Sequence, residues 1–396
     1  KSRPDVEHLT LIYLMYLADS VLSYLLVYKR TLIEAHQKNY VVLLYQTAFL
    51  VLQDVLQIAA LVATRNFILF LALKIICTVL TNILISLKAD RLYPYLREPC
   101  REELPQEERK EIFKNIRAMM MHKLGLVAVN NTDNLLISAF VGVASVGIYS
   151  NYYLLIGSVR QVLDQVFQGI TASVGNLGVT GGKERMRKVF ETAFFIGQWM
   201  YGFAAICLYE LLNPFVELAF GANYVFEKRV VLILCINFFV TGTRRATLTF
   251  RDSMGLFWYD RYKALAEAGC NLVFSILLVL QFDVFGVFLG TLLSALTTSV
   301  WIEPFVLYRK GLKAPVLPFF GKYAFYALFV AVAWGITDRL CGLVAGAPVV
   351  QIVCRLLICA AVPNVLWLLL YHRTEEWRTT CRSVEKVLKK RKVREE

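Results

Sequence analysis

Residues 263–310 read KALAEAGCNLVFSILLVLQFDVFGVFLGTLLSALTTSVWIEPFVLYRK. Two apolar runs, Ala264–Phe282 and Phe285–Tyr308, are separated only by Asp283 and Val284 and bracketed by Lys263, Arg309 and Lys310. Each run has the length of about 20 residues that crosses a bilayer core. Neither shows the alternation of a barrel strand, and a backbone in lipid must satisfy its own polar groups, so both are read as helices. Working outward adds nine further segments: Leu9–Tyr28, Tyr40–Thr64, Phe67–Leu87, Leu124–Val141, Ile148–Val174, Phe190–Leu212, Val230–Phe250, Tyr323–Ile336 and Val349–Tyr371. The fold class expected is all-α, a polytopic transmembrane bundle of about eleven spans.

Composition agrees. The chain is 57% hydrophobic and 18% charged, against about half and a quarter for soluble domains. Its net charge of +13 would suit a nucleic-acid partner, but its distribution points elsewhere. Of 43 basic residues, 32 lie in the connections after spans 1, 3, 5, 7, 9 and 11, and 6 lie on the opposite side. By the positive-inside rule the first set is cytoplasmic, so the C-terminus is cytoplasmic and no nucleic-acid partner is expected. Nine scattered cysteines without a CxxC pair, and four scattered histidines, suggest neither a disulfide framework nor a metal site.

Between Lys88 and Lys123, Ile112, Phe113, Ile116, Met119 and Met120 recur at helical spacing opposite Arg109, Lys110, Lys114 and Arg117. This predicts an amphipathic helix on the inner membrane surface. The tail ends in KVLKKRKVREE, suited to anionic lipid headgroups.

A repeat underlies the pattern. At an offset of 222 residues, YKRTLIEAHQKNY (28–40) aligns with FRDSMGLFWYDRY (250–262), and Lys88 aligns with Lys310. Spans 1–3 and 7–9 then share lengths, polarity and orientation, as parallel repeats do in transporters. The organisation expected is residues 1–88 as three spans of a first lobe, 89–123 as an inter-lobe linker, 124–312 as a six-helix second lobe, 313–372 as two additional spans, and 373–396 as a basic cytoplasmic tail. The same offset places three further spans before Lys1, so the first lobe is expected to be incomplete.

Two lobes followed by two helices resemble the multidrug/oligosaccharidyl-lipid/polysaccharide exporter superfamily. Three strings, NNTDNLLISAFVGVASVGIYSNYYLLI (130–156), TRRATLTFRDSMGLFWYDRYKALAEAGCNLVFSILL (243–278) and FGVFLGTLLSALTTSVWIEPFVLYRK (285–310), are similar to Wzx-type O-antigen and capsular repeat-unit flippases. The resemblance implies a transporter and not an enzyme, in a bacterial inner membrane. Its cargo would be a polyprenyl-diphosphate-linked oligosaccharide, flipped from the inner to the outer leaflet and passed to a polysaccharide polymerase. No cofactor is implied beyond a coupling ion, H+ or Na+. A drug or cation antiporter, a lipid II flippase and a membrane-embedded glycan ligase are the competing readings.

Charged groups at membrane depth cost about 2.5–3.5 kcal/mol each, so they seek a cavity or a partner. Asp19, Asp54, Lys74, Asp133, Arg160, Asp164, Arg244, Arg245, Glu267 and Arg355 lie there. For a diphosphate, arginine offers a bidentate fork. Arg160, followed by Gln161 and Gln165, is therefore expected either to grip diphosphate or to pair with Asp164 four residues on. Arg244 and Arg245, near the cytoplasmic end of span 7, either recruit the headgroup or snorkel to lipid. Asp133, among Asn130, Asn131 and Asn134, is expected to hold sugar, pair with Arg160 or carry the coupling ion. Glu267 is expected to pair with Arg261 or Lys263. Lys74 is a further cavity candidate with no evident partner.

Overall fold

The computed structural model describes residues 9–36, 38–97, 105–180, 182–374 and 376–378. They form helices and connections only, in two compact units, Lys1–Leu104 and Pro105–Glu396. All eleven expected segments are helical. Seven helical stretches, or eight with one bent pair taken as a single span, are long and apolar enough to cross a membrane. The chain is a multi-pass membrane protein.

The first unit holds α1 (Leu9–Leu22), α2 (Val27–Ala35), α3 (Asn39–Thr64) and α4 (Phe67–Leu92). α1 and α2 meet at a bend of 44°, with Leu26 left-handed at φ 60°. Such a break frees backbone carbonyls that must find donors. Asn82 Nδ2 on α4 supplies them, reaching Leu22 O at 3.0 Å and Ser23 O at 3.3 Å. On the same seam Lys74 Nζ pairs with Asp19 at 3.1 Å, and Thr78 Oγ1 donates to Asp19 at 2.8 Å. Lys74 thus has a partner that its local sequence does not reveal.

The second unit holds α5 (Gln106–Leu136), α6 (Val143–Thr180), α7 (Lys183–Phe220), α8 (Lys228–Thr243), α9 (Arg245–Ser253), α10 (Lys263–Thr297), α11 (Ser299–Val306), α12 (Leu317–Gly342) and α13 (Pro348–Tyr371). Residues 263–297 fold as a hairpin within α10, because Asp283 (φ 50°, ψ −134°) interrupts the helix. Its arms touch at small and hydroxyl residues. Ser275 Oγ donates to Val287 O at 3.1 Å, and a Cβ on Gly290 would sit 2.3 Å from that hydroxyl. Any larger side chain at Gly290 would therefore push the arms apart.

The amphipathic segment departs from expectation. α5 runs unbroken for 31 residues from Gln106, roughly 46 Å at 1.5 Å per residue, so it continues directly into the apolar segment that begins at Leu124. No strong breaker separates the halves, and Gly125 is occupied in packing: a Cβ there would lie 2.5 Å from Ala264. α5 consequently crosses the expected boundary at residues 123 and 124. Ile112, Phe113, Ile116, Met119 and Met120 are exposed along it. The basic tail from 379 onward lies outside the described residues.

α12 and α13 dock on α7 through aromatic side chains. Phe194 meets Phe319 at 4.7 Å between centroids, Phe195 meets Trp367 at 5.4 Å, and Trp199 Nε1 donates to Asn364 at 2.8 Å. Tilted and edge-to-face aromatic contacts give such helices specific packing where lipid supplies no hydrophobic drive.

Candidate functional site

α6 carries the first part of the site. Ser150, Tyr153, Ser158, Gln161 and Gln165 are exposed on it; the sequence reading makes it a span, although it is not among the stretches of described residues long and apolar enough to cross a membrane. Hydroxyl and amide groups at that depth are expected to face protein or a watered cavity, since lipid offers them no partner. Asn134 at the end of α5 completes a groove of about 410 Å³ whose other lining residues are Tyr149, Ser150, Tyr153, Leu154, Gly157, Ser158 and Gln161.

Arg160 lies beside this groove, half-buried, with its guanidinium carbon 5.8 Å from the Phe238 ring centroid. Its Nε is buried without a hydrogen-bond partner, and it is an electrostatic neighbour of Tyr153, Asp164, Tyr201 and Arg245. The expected hydrogen-bonded pair with Asp164 is replaced by a different one. Arg245 Nε donates to Asp164 Oδ1 at 2.7 Å, Arg245 Nη2 donates to Asp164 Oδ2, and Tyr201 donates its hydroxyl to Asp164 Oδ1. This ties α6, α7 and α9 together and leaves Arg160 beside a carboxylate already claimed. The Arg245 side chain remains 43% exposed.

Asp133 turns toward the α10 hairpin, away from any pairing with Arg160. It is buried, and Thr291 Oγ1 lies 2.9 Å from its Oδ1. Asn271 Nδ2 donates to the same Thr291 hydroxyl at 2.9 Å, while Asn271 Oδ1 is buried with no hydrogen-bond partner. Ser275 Oγ and Val287 O complete a group of oxygens at the hairpin interior. One buried carboxylate tied to hydroxyl and amide groups is a group that can take up and release a proton. Asn131 is exposed and donates to Val127 O at 2.8 Å. The side chain of Asn130 lies outside the described residues.

Arg244 is the clearest departure. Sequence position suggests an accessible recruiter at the mouth, yet its side chain is only 10% exposed. Nε and Nη2 form a fork on Glu303 at 3.0 and 2.7 Å, and Nη1 reaches Glu267 at 3.3 Å. Lys263 also donates to Glu303, and Ser299 donates to Glu267. Glu267 thus takes Lys263, at 3.9 Å, as one partner, as expected, and Arg244 as the other. Every guanidinium nitrogen of Arg244 faces a carboxylate, so its role is to hold the break between α8 and α9 against α10 and α11. Lys74 sits in the first unit with Asp19.

Sequence reasoning missed Glu303, Tyr149, Tyr153, Asn271 and Thr291. An acid inside the apolar run VWIEPFV is a legible signal for Glu303. Tyr149 and Tyr153 carry no such mark among 20 tyrosines.

No protein-family model and no characterised protein sequence matches the chain. Among solved structures, it is similar to the lipid II flippase MurJ in an inward closed conformation, with a TM-score of 0.51 and 12% sequence identity. The match covers 79% of this chain and 64% of the MurJ chain, less than two thirds of its length. At that identity the likeness shows a shared fold.

Proposed function

We propose that this protein is a flippase of the multidrug/oligosaccharidyl-lipid/polysaccharide exporter superfamily, moving a polyprenyl-diphosphate-linked oligosaccharide from the inner to the outer leaflet of a bacterial inner membrane. The observation that carries this is Arg160. A half-buried guanidinium with an unpartnered Nε stands beside a groove of hydroxyl, amide and aromatic groups, on a fold shared with a flippase. Arg160 would engage the diphosphate with a charge-assisted hydrogen bond. The groove would take the sugar, and the lipid tail would stay in the bilayer. Alternating access would turn the headgroup from one face to the other, delivering it to a polysaccharide polymerase. The fold likeness also favours a second reading, with lipid II as cargo.

In this reading Asp133 carries the coupling ion. Asp133→Asn keeps the shape and removes the charge, so transport by reconstituted vesicles should stop responding to an imposed proton or sodium gradient while folding is preserved. A variant that still follows the gradient would remove Asp133 from the coupling step.

The cytoplasmic C-terminus belongs to the same proposal. On a cysteine-free background, Gly182→Cys should react with a membrane-impermeant maleimide only after the inner face is opened. Asn223→Cys should react in intact cells. The opposite pattern would reverse the orientation drawn from 32 basic residues against 6.

A further inference from the structure

We infer that the groove between α5 and α6 is a subsite for one class of ligand, an uncharged sugar ring, with Tyr153 as its stacking platform. The inference rests on the reading that Arg160 holds a diphosphate, and it adds what sits next to that diphosphate.

The lining contains no Asp, Glu, Lys or Arg. A carboxylate or ammonium on the ligand would enter with no lining counter-charge, the Arg160 guanidinium beside the groove being taken up by the diphosphate, and an unpaired charge there is unfavourable. Asn134, Ser150, Ser158 and Gln161 instead offer neutral donors and acceptors, which match ring hydroxyls and an amide substituent. A sugar ring also has a C–H face, and an aromatic plane is its complement. Tyr153 provides that plane, being 57% exposed in a predicted span where several of its neighbours are polar.

The platform is held from behind. Tyr149, only 8% exposed, meets Tyr153 edge-on at 5.8 Å and 62°, and itself packs on Phe288 at 4.8 Å. Tyr149 thus backs one side of the Tyr153 ring and limits the freedom that ring has to lose on binding. Register follows from α6 itself. Tyr153 and Arg160 are seven positions apart, about 10 Å along the axis, and they are electrostatic neighbours. The ring on Tyr153 is thus the one attached to the diphosphate. A second consequence concerns discrimination: a first sugar bearing a carboxylate would be rejected by the neutral lining.

The test uses the full chain in lipid nanodiscs and three short-chain probes: a prenyl diphosphate, a prenyl-diphospho-N-acetylhexosamine, and a prenyl-diphospho-hexuronate. The unaltered protein should bind the N-acetylhexosamine conjugate roughly five- to tenfold more tightly than either other probe. Tyr153→Ala should erase that preference and leave binding of the bare prenyl diphosphate within about twofold, while Tyr153→Phe should keep the preference because stacking needs the ring and not the hydroxyl. Unchanged bare-diphosphate binding also certifies that Tyr153→Ala is folded. The subsite is overturned if Tyr153→Ala retains the sugar preference, if it weakens all three probes equally, or if the hexuronate binds as well as the neutral conjugate. Arg160→Ala separates the two claims. Bare-diphosphate binding that ignores Arg160→Ala defeats the diphosphate reading, while the Tyr153-dependent preference stands on its own data. Failure of every probe to bind the unaltered protein defeats both.

Discussion

Arg160→Ala should reduce export of the lipid-linked cargo by one to two orders of magnitude while the amount of protein in the membrane stays normal. Hydrogen bonds to charged groups are worth about 1.5–3 kcal/mol, which converts to roughly ten- to a hundredfold in affinity. The structural cost of the change is small, because Arg160 Nε makes no hydrogen bond in the folded protein and Asp164 is already held by Arg245 and Tyr201. Arg160→Lys should restore only part of the activity, since an ammonium keeps the charge and loses the planar fork. Surface polysaccharide in cells that depend on this chain reads the outcome, with membrane protein level measured alongside. Normal export by Arg160→Ala would end the diphosphate assignment. Loss of the protein itself would instead place Arg160 in the structural core.

The largest loss of stability should come from Glu303→Ala. Glu303 is fully buried and accepts from both Arg244 and Lys263, so its removal leaves two buried cations with Glu267 as their remaining partner. Breaking a buried ion pair from one side costs about 3–5 kcal/mol, because the remaining charge is uncompensated. Removing Arg244 as well should recover most of that loss: in Arg244→Met/Glu303→Leu the network is reduced to Lys263 and Glu267, which balance. By contrast Arg245→Ala leaves Asp164, 14% exposed, still bonded to Tyr201 and beside Arg160, so its cost should fall below that of Glu303→Ala. Thermal unfolding of the detergent-solubilised variants ranks them. A Glu303→Ala melt close to that of the unaltered protein, or a double variant less stable than the single, would contradict the closed network.

These expectations draw on different depths of information. The apolar run 264–308, broken only by Asp283 and Val284, was enough to read two helices and their sharp connection. Hydrophobicity and helix length are sums over neighbouring residues, so they are local properties of the chain. For the same reason all eleven apolar segments proved helical, and Arg160 and Asp133 stood out as charges that a span would not carry idly. Which way those charges point is not a local property. Arg244 and Arg245 are adjacent in sequence, yet one forks onto Glu303 in α11 and the other onto Asp164 in α6. Their fates diverge because the helix breaks between α8 and α9, and because different helices cross on either side of that break. Lys74 found Asp19, and Asp133 found Thr291, through helix pairings that no window of sequence contains. Tyr153 became a platform only when Tyr149 was pinned on Phe288 behind it. The sequence alone determined that this is a polytopic helical membrane protein and which residues are costly there; the tertiary packing decided which of those charges neutralise one another and which, Arg160 and Arg355, keep a buried Nε without a hydrogen-bond partner, because only the crossing of helices brings distant donors and acceptors within reach.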